Sequence, residues 1–90
     1  MWKYSSPIGP LYIKRLANGH YGLIYENTVW ESCASPEAEA DNVYMHCTGL
    51  YEWDELDGQV PDVPSDLSEW ELIRFFYESG VIGLPLAPNL

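Results

Sequence analysis

Ninety residues carrying fourteen acidic and four basic side chains give a formal net charge of −10, a field that opposes binding to bare nucleic acid or to an anionic membrane and favours a basic partner. A chain of this length forms one domain, which buries about 60 to 68% of its unfolded surface. Four Trp, seven Tyr and two Phe supply enough apolar area per residue to argue against disorder.

The first third alternates with period two. Leu11 to Leu16, His20 to Glu26 and Thr28 to Cys33 each read as a short β-strand, and Trp2 to Ser5 reads as a fourth. Ala17-Asn18-Gly19 and Glu26-Asn27 supply hairpin turns, because Asn and Gly tolerate positive φ. Pro7 to Pro10 makes a further turn with Gly9 in the left-handed position. Residues 1–34 are therefore expected to form an antiparallel meander of three to four strands. Alternation places Leu11, Ile13, Leu23, Tyr25 and Val29 on one face, and Tyr12, Lys14, Leu16, Ile24 and Trp30 on the other.

The periodicity then changes to that of a helix over 35–49. Ser35 caps, Pro36 suits the first helical position, Glu37 and Glu39 favour the positive end of the dipole, and Gly49 stops the run. Ala40, Val43, Tyr44 and Cys47 fall at the spacing of a buried stripe that lies across the sheet. Residues 50–67 read as an acidic connector punctuated by Gly and Pro. A second helix is expected over 68–80, with Ser68 and Glu71 at capping-box spacing, an apolar stripe of Trp70, Ile73, Phe76 and Tyr77, and Gly80 beyond its end. The tail 81–90 is apolar and broken by Pro85 and Pro88, so it is expected to pack on the core. Together these give a single α+β domain over 1–90: a three- to four-stranded meander packed by one helix, then the acidic connector and the second helix.

No apolar run is long enough to span a bilayer, and MWKYSSPIGP lacks the apolar centre of a signal peptide, so the expected address is the cytoplasm and no membrane is expected as partner. Two cysteines expected to be reduced agree with that address. No cofactor or metal is expected either. Cys33, Cys47, His20 and His46 show neither C-x-x-C nor H-x-x-x-H spacing, with Cys47 read as buried and His46 as exposed. Glu55, Asp57 and Gly58 sit like positions three, five and six of an EF-hand loop, but positions one and twelve would be Trp53 and Pro64, so the register fails. No nucleophile elbow, phosphate loop or Cys–His setting is present, and a non-enzymatic role is expected.

The stretch Asn18 to Gly49, NGHYGLIYENTVWESCASPEAEADNVYMHCTG, resembles the three-strand-plus-helix unit of AP2-like and integrase-arm DNA-binding domains. Those domains read DNA from the sheet with Arg, Lys and Trp, a role that the resemblance would pass to Lys14, Arg15 and Trp30. SSPIGPLYI is similar to the opening strands of alkylguanine-DNA alkyltransferases, although the Pro-Cys-His-Arg nucleophile motif of that family is absent here. The whole chain resembles small acidic proteins of phages and mobile elements.

Charge segregation points to function. Residues 1–34 hold Lys3, Lys14 and Arg15 against Glu26 and Glu31, whereas 35–90 hold Arg74 alone against the remaining acids. The leading expectation is an interaction module that docks on a basic protein surface. Its face would be Tyr51, Glu52, Trp53, Asp54, Glu55, Asp57, Asp62, Asp66, Glu69 and Trp70, with the aromatics as anchors. In its sharp form the carboxylates imitate a phosphate track, as in an inhibitor of a nucleic-acid-binding protein. The alternative is a nucleic-acid module that stacks bases on a sheet face of Tyr12, Lys14, Arg15 and Trp30. A third reading is self-assembly into a homodimer through the tail and an uncovered sheet face.

Overall fold

The computed structural model describes residues 1–74. It is an α+β fold with a five-stranded antiparallel sheet and two helices. Strands β1 (Trp2–Ser6), β2 (Gly9–Arg15), β3 (Tyr21–Tyr25) and β4 (Thr28–Cys33) form the expected meander, and β5 (Glu71–Leu72) joins it at the far edge, giving the order β4-β3-β2-β1-β5.

Local chemistry accounts for the hairpins. Gly9 takes φ 116°, and Glu26 and Asn27 take φ 50° and 64°, the paired left-handed geometry that matches strand twist in a two-residue turn. In the β2–β3 turn the Asn18 carboxamide oxygen accepts from the His20 amide at 2.9 Å. The β3–β4 register shifts between Leu23 and Ile24, so that Leu23 pairs with Glu31 but Ile24 pairs with Val29. This irregularity moves Val29 to the face of Ile24, opposite to where simple alternation puts it, and leaves Trp30 as the extra residue of the bulged strand.

Helix α1 (Pro36–Tyr44) begins as expected, with the Ser35 hydroxyl accepting from the Ala38 amide at 3.1 Å. It packs on β2, β3 and β4, where Ala40 and Val43 join Leu11, Ile13, Leu23 and Tyr25 in the core. The helix ends earlier than Gly49, because His46 takes φ 55° and turns inward, its Nδ1–H donating to the Trp53 carbonyl at 2.9 Å. The buried stripe is also rotated from the expected one: Glu39, Ala40 and Val43 are buried, while Tyr44 and Cys47 face solvent.

The connector is more structured than its composition suggests. A single turn, α2 (Tyr51–Asp54), drives Trp53 fully into the core, and its indole N–H donates to the Val43 carbonyl at 2.9 Å. Helix propensity over 68–74 is overridden by tertiary pairing. A short 3-10 turn, Leu67–Glu69, is capped by Asp66, whose carboxylate accepts from the Ser68 amide at 2.9 Å. Trp70 then becomes extended and buries its ring against Tyr4, with centroids 5.6 Å apart. Glu71 and Leu72 pair with Lys3 and Trp2. The rest of the expected second helix, and the tail 81–90 with its expected packing on the core, lie outside the described residues. No helix among the described residues is long and apolar enough to cross a membrane.

Candidate functional site: an acidic groove beside the end of the first helix

The ten residues expected to form one acidic face do not act together. Trp53 and Trp70 are core residues, 0% and 5% exposed, so neither is a contact anchor. Their indoles satisfy the interior's demand for large apolar area, which the loop composition around them hides. Asp54 is half-buried and used internally. Its two oxygens accept from the Thr48 amide at 3.0 and 3.1 Å, from the Thr48 hydroxyl at 2.8 Å and from the Gly49 amide at 2.8 Å, which pins the chain between the two helices. Tyr51 is 73% exposed and Glu52 and Glu55 are exposed. Glu52 lies near Tyr25, whose phenol is raised above its ordinary range by burial and then by the charges of Glu26 and Glu52.

Asp57, Asp62 and Glu69, by contrast, border two adjoining depressions that share Tyr44, Asp62 and Val63. One, about 510 Å³, lies between Tyr44, Met45 and His46 at the end of α1 and Asp57, Val60 and Asp62 of the loop. The second, about 550 Å³, runs on from the shared residues past Pro64 to Ser65 and Glu69. The floor of the first is fixed from below by the His46 imidazole stacked on the Trp53 indole at 4.3 Å. Its wall contains exposed apolar surface, Tyr44 at 45% and Met45 at 55%. No lysine or arginine lines either part. Asp66 adjoins the far end and is occupied with Ser68, while the Glu69 carboxylate accepts from the Ser65 amide at 2.7 Å and holds the 65–69 loop in shape.

Tyr44 and Met45 were legible only as helix residues. Reading the period through to Cys47 counted Tyr44 as core, whereas the helix buries Glu39, Ala40 and Val43 and turns Tyr44 outward, with Met45 exposed just beyond its end.

The sheet-face set is also divided. Lys3 pairs with Tyr12, and Lys14 follows Tyr12 by two residues, so these three share the face away from α1. Arg15 points to the other face by the same alternation, opposite Tyr21. Trp30 sits in the bulge, 43% exposed, with its indole N–H donating to the Tyr25 carbonyl at 3.3 Å. Burial lowers the Lys14 ammonium from its ordinary value.

A second cluster was not anticipated at all. Glu31 and Cys33 project from β4 toward Glu39 of α1, and a carboxylate oxygen of each Glu and the Cys33 sulfur all lie within 4.8 Å of one another. Glu39 is 0% exposed, and neither of its oxygens meets a hydrogen-bond donor among the described residues. Burial, and then the neighbouring Glu31, push its carboxyl up to about 9. Burial and the two glutamates push the Cys33 thiol up to about 12. The available signal was the i, i+4 relation of Glu39 to Val43, which puts a carboxylate on the buried stripe. Cys47, expected to be buried, is exposed, and His46, expected at the surface, is buried; both thiols are free.

No family model, curated protein or solved structure matches this chain.

Proposed function

We propose that the protein is a non-enzymatic interaction module that docks a basic, partly apolar segment of a partner protein in the groove between the end of α1 and the 57–69 loop. The observation that carries this reading is the coincidence of three carboxylates, Asp57, Asp62 and Glu69, with the exposed side chains of Tyr44 and Met45 around two adjoining depressions that no lysine or arginine lines. Exposed apolar surface supplies binding energy and the acidic rim selects for Arg or Lys and steers the encounter. The chain's own cations do not compete: Lys3 and Lys14 lie on the sheet face away from α1, and Arg15 and Arg74 are not groove residues. In the sharp form of the reading, the partner is a nucleic-acid-binding protein and the row Asp57, Asp62, Glu69 stands in for phosphates.

The test is an amide-resolved NMR titration with a soluble peptide alternating Arg and Leu, against a Glu/Leu control. The reading expects shifts confined to 44–46 and 57–69, weakening with added salt, and about tenfold lower affinity after joint Asp57→Asn, Asp62→Asn and Glu69→Gln substitution. Shifts scattered over the surface, or equal affinity for the triple variant, would reject it.

A further inference from the structure

We infer that Glu31, Cys33 and Glu39 form a binding site for a divalent transition-metal ion of the zinc class, held between the edge strand β4 and helix α1. The donors are one sulfur and two carboxylates, all within 4.8 Å of one another. Around tetrahedral zinc, with bonds of about 2.3 Å to sulfur and about 2.0 Å to oxygen, neighbouring ligand atoms stand about 3.3 to 3.5 Å apart. Shifts of about 1 Å per donor atom would bring them to that spacing. A thiolate beside carboxylates selects a borderline ion over magnesium or calcium, which prefer oxygen alone.

The buried carboxylate separates this cluster from an ordinary group of surface acids. Glu39 is fully enclosed and both its oxygens lack a donor among the described residues, as does Oε1 of Glu31. Leaving such atoms unsatisfied costs free energy, and an ion between Glu39, Glu31 and Cys33 would satisfy Glu39 and the other two at once. Asn42 already stands as an outer support, its side-chain amide donating to Oε2 of Glu31 at 3.1 Å and to the Cys33 sulfur at 3.4 Å, which orients two of the three donors. Access exists because Glu31 and Cys33 are only half-buried, so the fourth position is open to water. On binding, the thiol and carboxyl protons leave to solvent and the ion takes their places. The competing occupant is a proton shared between Glu31 and Glu39.

The experiment is a titration of the chelator-treated full chain with cobalt(II), the spectroscopic stand-in for zinc, followed by zinc. The inference expects one equivalent of cobalt to raise a thiolate-to-cobalt charge-transfer band, which zinc then abolishes. Cys33→Ser should remove the band, Cys47→Ser should leave it intact, and Glu31→Gln or Glu39→Gln should weaken cobalt binding about tenfold or more, with folding of each variant checked by circular dichroism. Glu31 lies on an edge strand, so its variant keeps the test open should the Glu39 variant fail to fold. Absence of the band in excess cobalt, or a band that follows Cys47 instead of Cys33, would overturn the site and leave the shared proton as its occupant.

Discussion

The Trp53 indole lies flat on the His46 imidazole, with ring centroids 4.3 Å apart and planes 12° from parallel, while the His46 Nδ1–H donates to the Trp53 carbonyl at 2.9 Å. The pair ties the end of α1 to α2 and creates the groove floor as a by-product. Trp53→Ala removes a fully buried ring and should cost about 3 to 5 kcal/mol, most of the stability of a small domain. Chemical denaturation would check it; a loss under about 1 kcal/mol, the range of surface changes, would return Trp53 to the list of contact residues.

Asp54 carries a second structural prediction. Its carboxylate satisfies the amides of Thr48 and Gly49 and the Thr48 hydroxyl, and Gly49 holds φ 86° in the loop so fixed. Asp54→Ala orphans these donors and should destabilise the fold by about 1 to 3 kcal/mol. Glu55→Ala, at an exposed neighbouring position, should stay within about 0.5 kcal/mol. Thermal melts of both variants separate an acid that builds the loop from one that decorates it.

These two residues show how far the sequence could be read. Hairpins were legible because Asn18-Gly19 and Glu26-Asn27 encode their turns within two residues, and the start of α1 was legible because Ser35 and Pro36 sit beside each other. Strand β5 was not, since Glu71 and Leu72 find Lys3 and Trp2, partners almost a whole chain away, and local propensity favoured a helix. The buried roles of Trp53 and Trp70 follow from Tyr4, which meets the two rings at 5.7 and 5.6 Å. A tryptophan in an acidic loop carries the same letter whether it anchors a partner or closes a core. The groove was legible in its charge and not in its shape. Asp57, Asp62 and Glu69 were named from composition, but Tyr44 and Met45 join them because α1 packs through Glu39, Ala40 and Val43, a phase that the sequence pattern did not give.

Tyr44 separates binding from folding. It is exposed and touches both parts of the groove, so Tyr44→Ala should change stability by no more than about 0.5 kcal/mol. The same substitution should weaken binding of an Arg/Leu peptide by about tenfold, the loss of one modest anchor. Isothermal calorimetry and a melt on the same sample decide it; a variant that binds normally would move the contact away from the end of α1.

Glu39 fixes how the metal-free protein responds to pH. Its carboxyl stands at about 9 in the fold against 4.5 as the ordinary value, so folding binds a proton that the unfolded chain releases above pH 4.5. The stability that this group contributes is complete below that pH and is lost as pH rises toward 9, at no more than about 1.4 kcal/mol per unit. Metal-free wild type should therefore weaken progressively across this range, apart from the contributions of other groups. Glu39→Gln keeps the shape, cannot ionise and can donate to Glu31, so its curve should lack that component and cross above wild type at the alkaline end. Urea denaturation in chelator at several pH values tests this directly. Parallel curves for the two proteins would mean that Glu39 is already ionised in the fold, with its charge met by a partner that the fold brings to it.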